Sequence, residues 1–290
     1  MRYSWGELEV DIICESVAEF FLASEFFPQY DANAIVHRRE RLQPGFLTSD
    51  NRLRLSIHSW LLRAGDLNIL IDTCVGNQKK RPSITQWNQA EFSYLDGLTE
   101  TGCSVEDIDI VMCTHLHVDH VGWNTRLEDN RWIPTFPNAR YLFSGKEYEY
   151  YLSQNRISSA NRGSFDDSVL PIVAAGQAEF IGSGYTPAPG VIVQEMPGHT
   201  PGHFVIRIER NGLRAILSGD VVHHPIQIWH PEWASVACWD PQAAGRSRIE
   251  LLNLCVESGA LLLPAHFCSP HGAKITKYGS HFDFRWGEKY

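Results

Sequence analysis

Strand-like apolar runs alternating with segments of helical spacing predict an α/β layered fold. Two further observations support it. The runs repeatedly end in polar residues of metal-ligand type, and no repeat, low-complexity tract or Ser/Gly linker interrupts the pattern. The 290 residues therefore read as one domain, 1–290, with residues 1–45 as an N-terminal extension. Within that extension "VAEFFLASEFF" is an apolar patch that suits either a dimer contact or an internal helix.

The elements follow in order. "LRLSIHSWLLRAGDLNILIDTCVGN" (53–77) reads as two strands joined at "AGD", the first alternating and the second almost wholly apolar. "WNQAEFSYLDGLTETG" (87–102) has helical spacing, with Phe92, Leu95 and Leu98 on one side and Gly102 as a stop. "SVEDIDIVMCTH" then turns into a buried strand. In the polar and aromatic stretch 123–170, "SGKEYEYYLSQN" is a helix opened by Ser144 as its N-cap. Short strands follow at "FIGSG", "VIVQEM", "HFVIRIER" and "GLRAILSGD". "DPQAAGRSRIELLNLCVESG" (240–259) is a helix with Ile249, Leu252 and Cys255 or Val256 inward, and "ALLLPAH" is a final buried strand.

Composition narrows the function. A formal charge of −9 disfavours a nucleic-acid backbone as partner. The longest apolar stretches are too short to span a bilayer, so no membrane partner is expected. Glu7, Glu9, Asp11, Glu15 and Glu19 are wrong for a signal or transit peptide, and seven cysteines without a C-x-x-C pair suggest reduced thiols. The expected location is the cytoplasm.

The chemistry-bearing stretch is "CTHLHVDHVGWN" (113–124). Each neutral imidazole carries a donor and an acceptor that need partners, so histidines are seldom crowded for packing alone. His115, His117, Asp119 and His120 follow one strand; His199 lies in "MPGHTPGH", Asp220 in "LSGD" and His266 in "LLPAHF". Five imidazoles and two carboxylates exceed one tetrahedral site and suit two divalent cations, with Zn²⁺ as the default and Mn²⁺, Co²⁺ or Fe²⁺ as alternatives. Alternate residues of an extended segment point the same way, which lets His115 and His117 share an ion, while Asp119 and His120 face a neighbouring one. Asp220 suits a carboxylate bridging two metals.

The order "THLHVDH", "PGHTPGH", "SGD", "PAHF" resembles the metallo-β-lactamase-fold hydrolase superfamily over about residues 50–275, most of all its dinuclear lactonase and methyl-parathion-hydrolase-like branch. The resemblance implies an αββα sandwich of two mixed sheets flanked by helices, with the metals at one edge. It assigns His115, His117 and His199 to one metal, Asp119, His120 and His266 to the other, and Asp220 to both. Asp72 in "ILIDTC" matches the family's early aspartate, which orients ligands without binding metal. By analogy with that branch the protein is expected to form homodimers.

Two metals sharing a water lower its pKa enough to make hydroxide near neutral pH, so no serine or cysteine nucleophile is required. The chain has no G-x-S-x-G elbow. Oxygen-reducing relatives are expected to carry a carboxylate where His117 stands, which points to hydrolysis. The expected substrate is a small neutral ester, first of all a lactone. Phosphotriester or aryl-ester hydrolysis on the same site is the alternative, and a phosphodiesterase or a non-catalytic regulatory protein ranks below it. Asp119 or Asp220 would relay a proton to the leaving group. His223 stands three residues after Asp220, where the best-known acyl-homoserine lactonases of this fold carry a tyrosine, and reads as a substrate-facing donor or as a histidine behind the ligands. His203 reads as structural. Trp123, Trp132, Trp229 and Trp233 are candidates for an apolar substrate pocket, with Arg126 and Lys146 near its mouth.

Overall fold

The computed structural model describes residues 2–157 and 160–287. The chain divides into two compact units, whose described residues are 2–16 with 57–189, and 17–56 with 190–287.

The strands in chain order are β1 (Arg2–Trp5), β2 (Leu8–Leu22), β3 (Arg52–Ala64), β4 (Leu67–Ile71), β5 (Ile110–Met112), β6 (Thr125–Glu128), β7 (Arg131–Pro134), β8 (Arg140–Ser144), β9 (Ala178–Ile181), β10 (Val191–Glu195), β11 (Phe204–Glu209), β12 (Leu213–Leu217), β13 (Leu261–Leu263), β14 (Ala273–Tyr278) and β15 (His281–Trp286). Helices are α1 (Ala23–Phe26), α2 (Tyr94–Glu100), α3 (Gly145–Asn155), α4 (Leu170–Ala174), α5 (Ile226–Trp229) and α6 (Pro241–Ser258).

In the first unit, β3 and β4 pair antiparallel through the tight turn at Gly65 and Asp66, and β4, β5, β8 and β9 continue as a parallel run in a sheet ordered β1-β2-β3-β4-β5-β8-β9. Strands of such a run are covered on both faces, which explains why "ILI" and "IVM" are wholly buried. Parallel strands deliver their C-terminal loops to one edge. Ile71 of β4 is in register with Met112 of β5, so Asp72 and the 113–120 loop start side by side.

The second unit carries a six-stranded sheet ordered β10-β11-β12-β13-β14-β15, with β12 and β13 parallel. Leu217 faces Leu263, which brings "SGD" and "PAH" to the same edge as the β10–β11 loop that contains His199. Its core includes Phe26, Phe27, Phe46, Ile216, Leu251, Leu252, Leu262 and Phe267.

Several expectations need correction. Residues 87–93 are not helical: Gln89 N–H donates to Lys79 O at 2.7 Å and Phe92 N–H to Asn77 Oδ1 at 2.7 Å, so the segment pairs with the 77–79 loop and the helix begins only at Tyr94. On α6, Leu251, Leu252 and Cys255 are buried, whereas Ile249 is 40% exposed. The helix is turned by Arg248, whose guanidinium donates to the carbonyls of Val221, Pro231 and Trp233 from full burial. The patch "VAEFFLASEFF" is the end of β2 followed by the single turn α1, with Ala23, Phe26 and Phe27 in the second unit's core. β13 is not the last strand, because the alternating "AKITKY" and "HFDFRW" form the hairpin β14–β15. All seven cysteines are free thiols.

Candidate metal centre

In the first unit the ligand-type residues sit on one loop. His115 Nε2 and His117 Nδ1 lie 3.0 Å apart, and the rings of His115 and His120 are 4.0 Å apart between centroids. The loop is not an extended strand, yet it brings the His-x-His pair together as the spacing predicts. It is clamped by its neighbours. Thr73 N–H donates to His120 O at 2.8 Å, Gly122 N–H to Cys74 O at 2.8 Å, and Trp123 N–H to Thr73 O at 2.7 Å. This ladder needs a glycine at 122, since a Cβ there would lie 1.8 Å from Val75 O. Asp72 accepts from Thr114 N at 2.7 Å, from Thr114 Oγ1, and from His120 Nδ1 at 2.9 Å. It therefore ties the start of the loop to His120. Leu116 N–H donates to the fully buried Glu147, and Asn161 Nδ2 donates to Leu116 O. Asp119 is the more exposed carboxylate, with 16% of its side chain accessible.

In the second unit the donors come from three strand ends and converge on one carboxylate. Asp220 Oδ2 is 3.3 Å from His199 Nε2 and 3.3 Å from His223 Nε2; Asp220 Oδ1 is 3.1 Å from His266 Nε2. The far nitrogens decide the tautomers. His266 Nδ1 lies 3.0 Å from Ser56 O, which only accepts, so Nδ1 carries the hydrogen. As a neutral ring it presents its Nε2 lone pair to a carboxylate oxygen, and a divalent cation set against both acceptors fits that donor set. His199 Nδ1 is 3.6 Å from Cys238 Sγ, the corresponding outer partner for this ligand. His199 is seated by Gly198, at φ +131, where a Cβ would meet Ala244 N at 2.2 Å.

His223 is buried and packs edge-to-face on Phe26 at 5.4 Å. Burial pushes it below the usual histidine range, against the pull of the Asp220 charge. His203 accepts the backbone N–H of Asp220 through Nε2 at 3.1 Å, so the histidine read as structural holds the backbone of the residue that bears the central carboxylate. His224 instead faces Phe46 O and is pushed down to about 4 by burial.

The four tryptophans have packing partners. Trp123 stacks on Tyr94 and donates its indole N–H to Glu15 at 2.7 Å. Trp132 lies under Lys79 Nζ, 3.5 Å from the ring centre. Trp229 stacks on Phe284 and donates to Asp283, while Trp233 stacks on His230. Arg126 binds Thr135 O and Glu128, and Lys146 is exposed on α3. Sequence reasoning missed Glu15, Glu147, Ser56 and Cys238; none lies in a ligand motif, and their role shows only through contacts distant in sequence.

Comparison with known proteins gives consistent results. An N-acyl homoserine lactonase from Bacillus cereus is 27% identical over 180 residues, which span 58% of this chain and 64% of the lactonase. The chain thus spans less than two thirds of that relative's length. Among solved structures, AidC, described as a dizinc quorum-quenching lactonase, superposes with a TM-score of 0.82 at 20% identity, covering 100% of this chain and 98% of that one. A hydrolase called AbOPH, of the beta-lactamase superfamily, gives 0.81 at 21% identity, covering 100% and 97%. These likenesses show a shared fold, the metallo-β-lactamase fold that the motif order implied. The profile described as "Metallo-beta-lactamase superfamily" matches residues 52–266, a span that holds every ligand-type residue described above, and the chain belongs to that superfamily.

Proposed function

We propose that this protein is a metal-dependent hydrolase that opens a small neutral ester, first of all a lactone. The observation that carries the reading is Asp220, whose carboxylate meets three imidazole Nε2 atoms within 3.3 Å. Following the family's motif order, His115, His117 and His199 would hold one divalent ion and Asp119, His120 and His266 the other, with Asp220 contributing to both. Zn²⁺ suits these N/O donors best. When bound, such a pair supplies an acidified water and polarises the substrate carbonyl.

The chain's own groups divide the remaining work. Asp72, Ser56 O and Cys238 hold the tautomers of His120, His266 and His199. Asp220 is engaged by imidazoles on both oxygens, which leaves Asp119, the more exposed carboxylate, to carry the proton to the leaving alkoxide. His223, beside Asp220, donates a hydrogen bond to the substrate. Its rank as donor also favours a second reading, phosphotriester or aryl-ester hydrolysis at the same centre, because the best-known lactonases of the fold carry a tyrosine there. The protein is proposed to act in the cytoplasm as a homodimer on a small molecule. No helix among the described residues is long and apolar enough to cross a membrane.

Metal analysis combined with pH-stat screening against lactones, aryl esters and phosphotriesters tests this. The expected result is two ions per chain and fastest turnover on a lactone. Activity in a chelated, metal-free preparation sinks the mechanism, and fast phosphotriester turnover with inert lactones reverses the substrate ranking.

A further inference from the structure

We infer that Glu15 is a positioning residue for the loop that carries Asp119 and His120. This rests on the metal reading above for its consequence, but its geometry stands within the first unit alone. Glu15 lies on β2, a hundred residues from the ligand motif. Its Oε2 accepts Val75 N–H at 3.0 Å; its Oε1 accepts Gly76 N–H at 3.0 Å and the Trp123 indole N–H at 2.7 Å. Val75 and Gly76 end the segment that begins at Asp72, and Trp123 ends the segment that carries the ligands.

The two segments already share the 73–123 ladder, closed so tightly at Gly122 that no side chain fits. Glu15 is the contribution of β2 to that clamp. One carboxylate ties the ends of both segments, and Trp123 is held between this bond and its stack on Tyr94 at 5.3 Å. Tyr94 is itself anchored, its hydroxyl donating to Ser59 Oγ at 2.7 Å. Because Asp72 fixes the start of the loop and Glu15 its end, the positions of Asp119 and His120 follow from the pair. Removing Glu15 frees two backbone donors and an indole donor at once, a loss that neither the ladder nor Tyr94 can replace.

The test uses full-length Glu15→Ala and Glu15→Gln, the second keeping one acceptor oxygen and the side-chain shape. Hydrogen exchange on the metal-free proteins is the first readout. Amides of residues 73–76 and 118–124 are expected to exchange at least about tenfold faster in Glu15→Ala, with a smaller change in Glu15→Gln and none in the second unit. Wild-type rates in that loop overturn the proposal whatever the metal content. Zn²⁺ titration against a chromophoric chelator is the second readout. One of the two zinc equivalents is expected to weaken about tenfold or more while the other holds within threefold. Equal loss of both, or wild-type affinity for both with a loosened loop, overturns the positioning role. Wild-type protein that binds no zinc sinks the metal reading instead, and the exchange result still decides the role of Glu15 in the loop. If Glu15→Ala does not fold, Glu15→Gln carries both readouts.

Discussion

The two units solve one problem in different ways. The first places His115, His117, Asp119 and His120 on a single loop, which has no strand geometry of its own and is held by a backbone ladder, Asp72, Glu147 and Glu15. The second draws His199, Asp220 and His266 from three strand ends, where sheet register does the positioning. A loop cluster depends on many local clamps, while a strand-end cluster depends on its one shared carboxylate. The first unit should fail gradually as clamps are removed, and the second abruptly when Asp220 changes.

The largest expected effect therefore belongs to Asp220→Asn. The amide keeps the shape but loses the charge that faces three imidazoles, and its NH₂ cannot serve where an anionic oxygen is needed. Turnover of the best ester should fall by roughly a thousandfold or more, the range of losses for groups that act at the reacting centre. Metal content should fall below two ions per chain while the circular dichroism spectrum stays native. Near-wild-type turnover would break the contrast, since the strand-end cluster would then tolerate loss of its only carboxylate.

Next in size is Gly122→Ala, which strikes the loop unit through its backbone. The added methyl would sit 1.8 Å from Val75 O, so the ladder must open. A cost of about 3 kcal/mol is expected, the upper end for overpacking, read by urea unfolding of the metal-free protein. A variant as stable as wild type would mean that the ladder is not what holds the loop.

Cys238→Ala sharpens the comparison from the other side. The thiol is the partner of His199 Nδ1 at 3.6 Å, a long contact to one ligand of a cluster that sheet register already positions. Zinc affinity should drop about tenfold at most, and Cys238→Ser should restore it, since a hydroxyl can fill the same role. A hundredfold loss would show that register alone does not hold the second cluster.

The sequence made the ligands legible for a reason that these contrasts explain. A His-x-His-x-Asp-His run after an apolar strand, and single ligands after three others, follow from the strand periodicity that also builds the sheets. The clamps are not periodic. Glu15 is one acid among several on β2, Ser56 acts through a backbone carbonyl, and Cys238 matters only because Trp239 N–H and Asp240 N–H pin its segment to His199 O and Gly198 O. Helical spacing at 87–93 was misleading because side-chain and backbone bonds to the 77–79 loop outweigh a weak helix preference. The tryptophans were legible as aromatic and not as partners. Trp229 donates to Asp283 and lies under Arg38 and Arg41, none of them close to it in sequence.

The last expected effect is one of pH, and it separates the units again. Each buries a cation. Arg248 in the second unit spends its guanidinium on three carbonyls and is lowered by burial only to about 10, so it stays charged. Lys79 in the first unit has Thr125 Oγ1 at 2.6 Å and the Trp132 ring, while Asp167 is taken bidentately by Arg81. Burial lowers Lys79 to about 7, with the nearby Asp167 charge opposing the shift. An unfolded lysine keeps its proton to near 10.5. Between these values the unfolded chain holds a proton that the folded one has released, so stability rises with pH across that window. Below about 7 both states are protonated, and the fold bears the full cost of the buried charge. The slope from this one group is at most about 1.4 kcal/mol per pH unit. Lys79→Met removes it. The stability of the variant relative to wild type, from urea unfolding at several pH values, should be most favourable near neutrality and decline steadily toward pH 10. A difference that stays constant over that range would mean that Lys79 keeps its proton, and that this buried cation of the first unit is no more sensitive to pH than Arg248 in the second.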